Sequence, residues 1–357
     1  MLSGIRESAG RAAKSAMLSV FQKWILRYPL LATMAYARNR DFQLEAWGYF
    51  HALQRAREDS DSSRGWRYRL RTNIHILEKG ISALNRREVF GSRIAGEVVA
   101  DFRHLHEVRR NGPDASDEPL YAWSRDVLTT YFSVTGSDPK IDAARAIFQD
   151  LMCEPGHDGE LLAPYSRSLS ENRCGYDQLL ALARQRRSVR SYLPDRVPRE
   201  LIDRAMAVAA LAPSSCNRQP FHYRICDDPD LIERLKDIPG GITTFNHLPV
   251  LIVITGDMRG CVESITNRHS IYVDACLSAM AFQFGLETVG LSSCCVHWSE
   301  TRAKDNAVKS VLGLPPFERV VMFMVVGFPV PGGLVPRSHK KHIDELRSFN
   351  AIGPISG

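Results

Sequence analysis

The chain has no C-x-x-C pair, no G-x-G-x-x-G, no repeat of fixed period and no low-complexity tract. Each absence removes a class of answer. The eight cysteines, Cys153, Cys174, Cys216, Cys226, Cys261, Cys276, Cys294 and Cys295, lack the spacings of a zinc site or a disulfide framework. The adjacent Cys294 and Cys295 cannot readily bridge each other. Reduced thiols in the cytoplasm, and no metal, are the reading. Without a dinucleotide fingerprint, no Rossmann domain is expected to hold a nicotinamide permanently. The basic, amphipathic N-terminus is interrupted by Lys23, Arg27 and Pro29, too soon for a membrane span. It also lacks the order of a secretory signal. It reads as a core-packing helix, with a membrane-surface helix as the weaker alternative.

What is present is ordinary in bulk. The 357 residues give room for two domains, and 44% hydrophobic with 24% charged residues is a globular composition. A formal net charge of +6 suits an anionic ligand and falls short of a nucleic-acid-binding surface.

Residues 1–152 read as a mostly helical extension. FQLEAWGYFHALQRARE puts Phe42, Leu44, Trp47, Phe50 and Leu53 near one face. Ile74, Leu77, Ile81 and Leu84, then Ile94, Val98 and Phe102, repeat at helical spacing, and Pro139 opens a further helix. A segment rich in Gly, Pro, Ser and Asn over 153–176 reads as a linker. From 177 to 346 the texture changes. DQLLALARQ and VPRELIDRAMAVAALAPS are helical; FHYRICDD alternates as a strand; PVLIVITGD and RVVMFMVVGFP are buried strands. HSIYVDACLSAMAFQFGLETVGL is a long helix, apolar on most of its circumference, stopped by Gly290. This half is a mixed α+β layer structure, and 347–357 is a tail.

One stretch demands an explanation. RQRRSVRSYLPDRVPRE crowds Arg186, Arg187 and Arg190 around Ser188. Such guanidinium clusters are often solvated faces, but they also persist where an anion sits between them. The order of the downstream motifs sharpens the choice: Val-Pro and a helix, then A-P-S-S-C-N-R-Q-P-F, then a strand, later D-A-C-L-S-A-M-A-F-Q-F-G-L-E-T-V-G-L-S-S-C, and finally V-V-G-F-P with P-R-S-H-K-K. From Asp177 to Leu346 this series resembles the FMN-dependent nitroreductase family. The N-terminal half has no place in that resemblance.

The resemblance implies a mixed, largely antiparallel sheet flanked by helices. It implies FMN as the bound cofactor, its phosphate and ribityl chain on Arg186, Arg187, Ser188 and Arg190. Pro213, Ser214, Ser215, Asn217 and Gln219 would lie beside the isoalloxazine ring. Gly290, Leu291 and Ser292 would bring backbone N–H groups to its N5–O4 side. Arg337 and Lys340 are candidates for a last phosphate contact, since His339 stands at the aligned arginine position. A homodimer with two shared flavins is implied, and ping-pong hydride transfer from NADH or NADPH to a small organic acceptor such as a nitroaromatic or quinone. No protein nucleophile or general base is implied. The alternatives are a flavin-dependent dehydrogenase or flavin-modifying enzyme of a biosynthetic pathway, and a non-catalytic scaffold on a flavin fold. Insertions that roof the flavin in many relatives are short here, so the N-terminal helices are expected to supply a cover or to hold a partner.

Other residues carry plain readings. His75 and Glu78 are too few for a metal. Cys216, Cys294 and Cys295 are small apolar fillers more often than redox partners. GWRYRLR mixes arginine with aromatics but is a weak nucleic-acid signal. Trp298 is a floor for the substrate pocket or a core residue, with nothing to choose between them.

Overall fold

A computed structural model describes residues 28–41, 43–57, 65–111, 117–152, 161–166 and 174–353. The N-terminal stretch through Arg27, Phe42, most of the 153–176 segment and the last four residues of the tail lie outside these.

In the N-terminal half, α1 (Pro29–Arg38) and α2 (Gln43–Arg57) precede four helices that share one core: α3 (Gly65–Ile81), α4 (Ala95–Asn111), α5 (Glu118–Val134) and α6 (Pro139–Leu151). Helix α3 buries Trp66, Leu70, Ile74 and Leu77, a stripe at three- and four-residue spacing that meets Val98, Phe102, Leu128 and Tyr131. Helix α6 starts where expected, with the Asp138 carboxylate accepting from the Lys140 and Ile141 N–H groups ahead of the Pro139 turn. Helix α2 buries Leu44 and part of Leu53 of the apolar face read from the sequence, but not all of that face. Trp47 and Phe50 are exposed, while Tyr49 and Ala52 pack with Met258, Cys261 and Ile271 of the C-terminal half. That helix packs Tyr49 and Ala52 against the second half of the chain.

The C-terminal half opens with α7 (Tyr176–Gln185) and α8 (Arg199–Ala209). Then come β1 (Phe221–Cys226), α9 (Pro229–Leu235), β2 (Val250–Asp257), α10 (Ser270–Thr288), β3 (Ser292–Val296), α11 (Arg302–Leu312), β4 (Glu318–Gly327) and a short α12 (Ile343–Leu346). The sheet runs β1-β2-β4-β3 with every pair antiparallel; a parallel bridge joins Ser188 to Ser293. β2 is buried at every position, as its unbroken apolar run requires. One face of the sheet carries α8 and α10 through Ala205, Ala279, Phe282 and Met324, and the other packs Val253, Phe323, Val325 and Val308. β3, α9 and α11 were not legible. Ser-Ser-Cys-Cys-Val has little intrinsic strand character, and its pairing with β4 makes it one.

Among the described residues no helix is long and apolar enough to cross a membrane, and no group of three or more His, Cys, Asp or Glu is placed to hold a metal. From 331 to 353 every residue is exposed.

Candidate cofactor and substrate cleft

Helix α7 ends by donating the Arg186 N–H to Leu182 O, and the chain then turns extended along the outer edge of β3. Val189 N–H donates to Ser293 O at 3.2 Å. The phenol of Tyr192, fully buried, pins this segment from below by donating to Val189 O (2.8 Å) and Val325 O (3.3 Å). Asn246 clamps the same residue from the side: its Oδ1 accepts from Tyr192 N–H (2.8 Å) and its Nδ2 donates to Tyr192 O (3.0 Å). The arginine segment is therefore held by its backbone, which leaves its side chains for other work.

Those side chains meet only neutral oxygens. Arg187 Nη1 donates to Arg186 O (3.0 Å) and Arg190 Nη1 to Ser188 O (3.3 Å). None of Arg186, Arg187 and Arg190 forms an ion pair among the described residues, although all three are partly buried. Glu287 lies within Coulombic reach of Arg186, yet its carboxylate accepts from Gln185 Nε2 (3.1 Å) and Ser292 Oγ (3.3 Å) instead. Burial raises its pKa, against the lowering pull of those two hydrogen bonds and of Arg186. Burial likewise raises the Cys294 thiol, against Arg190. A raised thiol is neutral at pH 7 and a poor nucleophile.

Beside Arg190 opens a cleft of about 500 Å³, lined among others by Gly240, Gly241, Phe245, Cys294 and Lys304. No aspartate or glutamate lines it. A larger groove of about 1070 Å³ shares Phe245 but contains none of the expected site residues. Its wall mixes Asp195, Asp227 and Asp228 with Arg196 and Arg199, and Arg199 is already paired with Asp227 at 2.7 Å. The smaller cleft has the chemistry.

The expected site residues divide into three places. Arg186, Arg187, Ser188 and Arg190 stand together against β3. Gly290, with φ of +79°, is the helix stop expected of it. Its N–H and that of Leu291 are engaged in the helix end, donating to Glu287 O (3.4 Å) and Leu286 O (3.0 Å), and Leu291 is buried. In this structure the cap of α10 engages both amides. The stretch of β3 that borders the cleft is the next one, Cys294–Val296, continuing into His297 and Ser299.

The loop from Pro213 to Gln219 lies elsewhere. Ser215 N–H donates to both oxygens of Asp274 at 3.1 Å, near the start of α10. Asp274 and Glu287 are thirteen residues apart on that helix, a rise of about 20 Å. Asn217 and Gln219 bond each other (2.7 Å), and Ser214 Oγ accepts from Gln219 N–H (3.1 Å). Cys216, Asn217 and Gln219 all hold left-handed backbone, φ +52°, +51° and +52°. Such strain persists only where surroundings enforce it. Here α3 enforces it: Arg71 donates to Asn217 O (3.4 Å), and buried Arg218 donates to Thr72 Oγ1 (3.0 Å) and Glu263 (2.7 Å).

Arg337, His339 and Lys340 sit in the exposed 331–353 segment, and Arg337 and Lys340 make no hydrogen bond or ion pair among the described residues. That segment departs from Val330, whose N–H donates to Ser191 O next to the arginines. Among the described residues, none of the N-terminal helices lines the cleft; they brace the 213–219 loop, and Asp41 Oδ1 accepts from the Arg302 N–H (2.8 Å) that starts α11. His75 and Glu78 pair at 3.3 Å, with Trp123 donating to the same glutamate. Arg67 and Arg69 of GWRYRLR are paired with Asp117 and Asp101. Trp298 packs on Phe323 and is a core residue.

Lys304, Gly240, Gly241 and Asn246 escaped the sequence reading. A signal existed for three of them. Pro-Gly-Gly after a short helix marks left-handed backbone, and a lysine in a helix's first turn stands at the end where the dipole disfavours it.

With this geometry in hand, comparison with known proteins is informative. Residues 183–246 and 243–328 match the family model described as the nitroreductase family, so the C-terminal half carries a nitroreductase-family domain. Iodotyrosine deiodinase 1 of Sus scrofa is 26% identical over 196 residues, covering 46% of this chain and 66% of that protein, less than two thirds of its length. Iodotyrosine deiodinase of Danio rerio is 23% identical over 215 residues, 52% of this chain and 71% of that protein. The solved FMN-dependent nitroreductase of Clostridium difficile R20291 aligns with a TM-score of 0.42 at 22% identity, over 48% of this chain and 99% of that one.

Proposed function

From a nitroreductase-family domain in the C-terminal half, we propose that this protein is a homodimeric FMN oxidoreductase that passes hydride from NADH or NADPH to a small organic acceptor by a ping-pong mechanism. The observation that carries the reading is a trio of partly buried arginines without a counter-charge among the described residues, of which Arg190 borders a cleft lined by no carboxylate. Three guanidinium groups and the Ser188 hydroxyl form a donor set suited to a phosphate monoester. Arg186, Arg187 and Ser188 would hold that phosphate, and Arg190 with the Cys294–Ser299 wall would border the ring. FMN, when bound, supplies the hydride chemistry, and the protein's part is to position it and limit water. Donor and acceptor would use the cleft in turn.

The dimer is supported by separation and by exposure. The 213–219 loop lies about 20 Å along α10 from the arginine cluster, so one chain does not bring both to one ring edge. A second copy would present its own loop. Val273, Leu277 and Met280, 56%, 44% and 37% exposed, form an apolar stripe on α10 where such a copy would pack. Strained Asn217 and Gln219, with Pro213, Ser214 and Ser215, would then face the partner's ring, and Arg337 or Lys340 would reach a phosphate from the exposed segment. The seven described cysteines are all free, which suits a reducing cytoplasm.

The names of the curated relatives favour reductive removal of halogen from an aromatic ring as a second reading of the same site. The test is anaerobic titration of the FMN-loaded protein with each nicotinamide, followed by nitroaromatic, quinone and iodophenol acceptors. Bleaching of the flavin and reoxidation by one acceptor class is expected, with sedimentation at dimer mass. Flavin inert to both nicotinamides would point to a dehydrogenase or flavin-modifying enzyme, and a protein that binds no FMN to a scaffold; either result defeats the proposal.

A further inference from the structure

The cleft holds one cation more than a phosphate cradle explains. Lys304, in the first turn of α11, is half-buried in the cleft wall and has no carboxylate partner. Its ammonium donates to Ser299 Oγ (2.8 Å) and Pro239 O (3.1 Å), both neutral. An ammonium has three N–H donors, so two are fixed by the wall and one remains. The wall sets its direction. Next to it lie Gly240 and Gly241, φ +77° and +75°; a methyl group added to Gly240 would sit 4.0 Å from Lys304 Nζ. Neither glycine N–H has a hydrogen-bond partner among the described residues.

A half-buried cation and two unengaged backbone donors thus share one rim of a cleft that contains no acid. Left-handed glycines bring backbone N–H groups close to a ligand without an intervening side chain. The arrangement has donors in excess and no matching acceptors, which is the signature of an oxyanion receptor. The lysine is also held from outside. Thr301 Oγ1 accepts from Lys304 N–H (3.3 Å), and Asp41 anchors the helix two residues earlier.

We propose that Lys304, with the Gly240 and Gly241 amides, receives the carboxylate of an aromatic acceptor, so that the site selects anionic over neutral acceptors of the same shape. This rests on the reading of the cleft as a flavin site, and deepens it by naming the acceptor class. Its charge is distinct from that of Arg186, Arg187 and Arg190, which face the phosphate in that reading.

Benzoate and benzamide differ in charge and hardly in shape, and neither is reduced. Each is titrated into oxidised FMN-loaded protein, and binding is read from the perturbed flavin absorbance, with no turnover. Wild-type protein is expected to bind benzoate about tenfold tighter than benzamide, as one charge-assisted contact provides, with the margin shrinking as salt is added. Lys304→Gln is expected to erase the margin while leaving benzamide and FMN affinity unchanged, and Lys304→Arg to keep most of it. Equal binding of the two probes by wild-type protein overturns the proposal. So does a benzoate margin that survives Lys304→Gln, which would place the receptor on another cation. Loss of FMN affinity in Lys304→Gln would make the lysine a cofactor ligand and overturn it also. Wild-type protein that takes up no FMN defeats the flavin reading itself, a separate and visible result.

Discussion

The arginines of the two halves live in different company. In the helical half Arg67 pairs with Asp117, Arg69 with Asp101, Arg109 with Glu118 and Arg145 with Asp142. Each fixes one element to another or one turn to the next. At the edge of β3, Arg186, Arg187 and Arg190 have no such partner, and their backbone is held by Tyr192 and Asn246 instead. A cation that only stabilises a fold is best placed beside a carboxylate, because pairing offsets its desolvation. A cation kept half-buried beside neutral carbonyls lacks that offset among the described residues, which is why the proposed function assigns these three to an anionic ligand. The comparison therefore separates structural from functional arginine without any knowledge of the ligand, and it can be broken by substitution.

The largest effect is expected at the most buried structural arginine. Arg319 is fully buried between Glu300 and Asp305, the latter 3.4 Å away, with Lys309 at 2.8 Å from the same aspartate. Arg319→Leu strips Glu300 of its paired cation and leaves Asp305 with Lys309 alone. A loss of about 3–5 kcal/mol in unfolding free energy is expected from denaturant titration. A stability change below about 1 kcal/mol would break the rule that paired arginines serve the fold.

Arg190→Ala is the converse. The backbone clamp remains, so unfolding stability should stay nearly constant, while FMN retention weakens by about 1.5–3 kcal/mol in an equilibrium titration. Unchanged FMN affinity would remove Arg190 from the site. A large stability loss with intact affinity would make it one more structural cation.

Between these lies the contact of the two halves. Tyr68 of α3 donates to Asp257 Oδ2 at 3.1 Å, at the end of β2. Burial raises the phenol pKa, so it remains a donor at neutral pH. Tyr68→Phe is expected to cost about 1 kcal/mol of stability, since Arg259 still satisfies the aspartate. FMN affinity should not move, because no described residue of the N-terminal half lines the cleft. A Tyr68→Phe protein that loses FMN would restore a direct role for the extension.

How much of this was legible before the structure depends on whether the deciding contact is local. Pro139 after Asp138, Gly290 after α10 and the apolar run of β2 act within a few residues, and all were readable. The arginine cluster was readable as a cluster because its crowding is in the sequence itself. β3 was not, since a Ser-Cys strand exists only through β4, and neither was the cleft face of α11, where Lys304 matters through Ser299 and Pro239. Which apolar residues of α2 are buried was not legible for the same reason. Its apolar residues cover more than one face, and only the C-terminal half decides which is buried. The hydrogen bonds that the Gly290 and Leu291 amides make at the end of α10 were not legible, because a family pattern gives positions and not hydrogen-bond occupancy.

The smallest expected effect tests the paired class by pH. Glu318 accepts two bonds from Arg224, at 3.0 and 2.7 Å, and one from Thr255 Oγ1 at 2.6 Å. Burial pushes its pKa up, but Arg224 and Thr255 outweigh burial and the net shift is downward. A carboxyl group with a lowered folded pKa stabilises the protein above its unfolded value, about 4.3, and that contribution is lost as pH falls through the folded value. Arg224 is 43% exposed, so solvent screens the pair and Arg224→Met should cost only about 1 kcal/mol at pH 7. The gap between wild type and Arg224→Met in denaturant midpoint should narrow on acidification below about pH 4. A gap that stays constant down to about pH 2 would mean the arginine acts through its methylene stem against β2, and the charge pairing that defines the structural class would not apply to it.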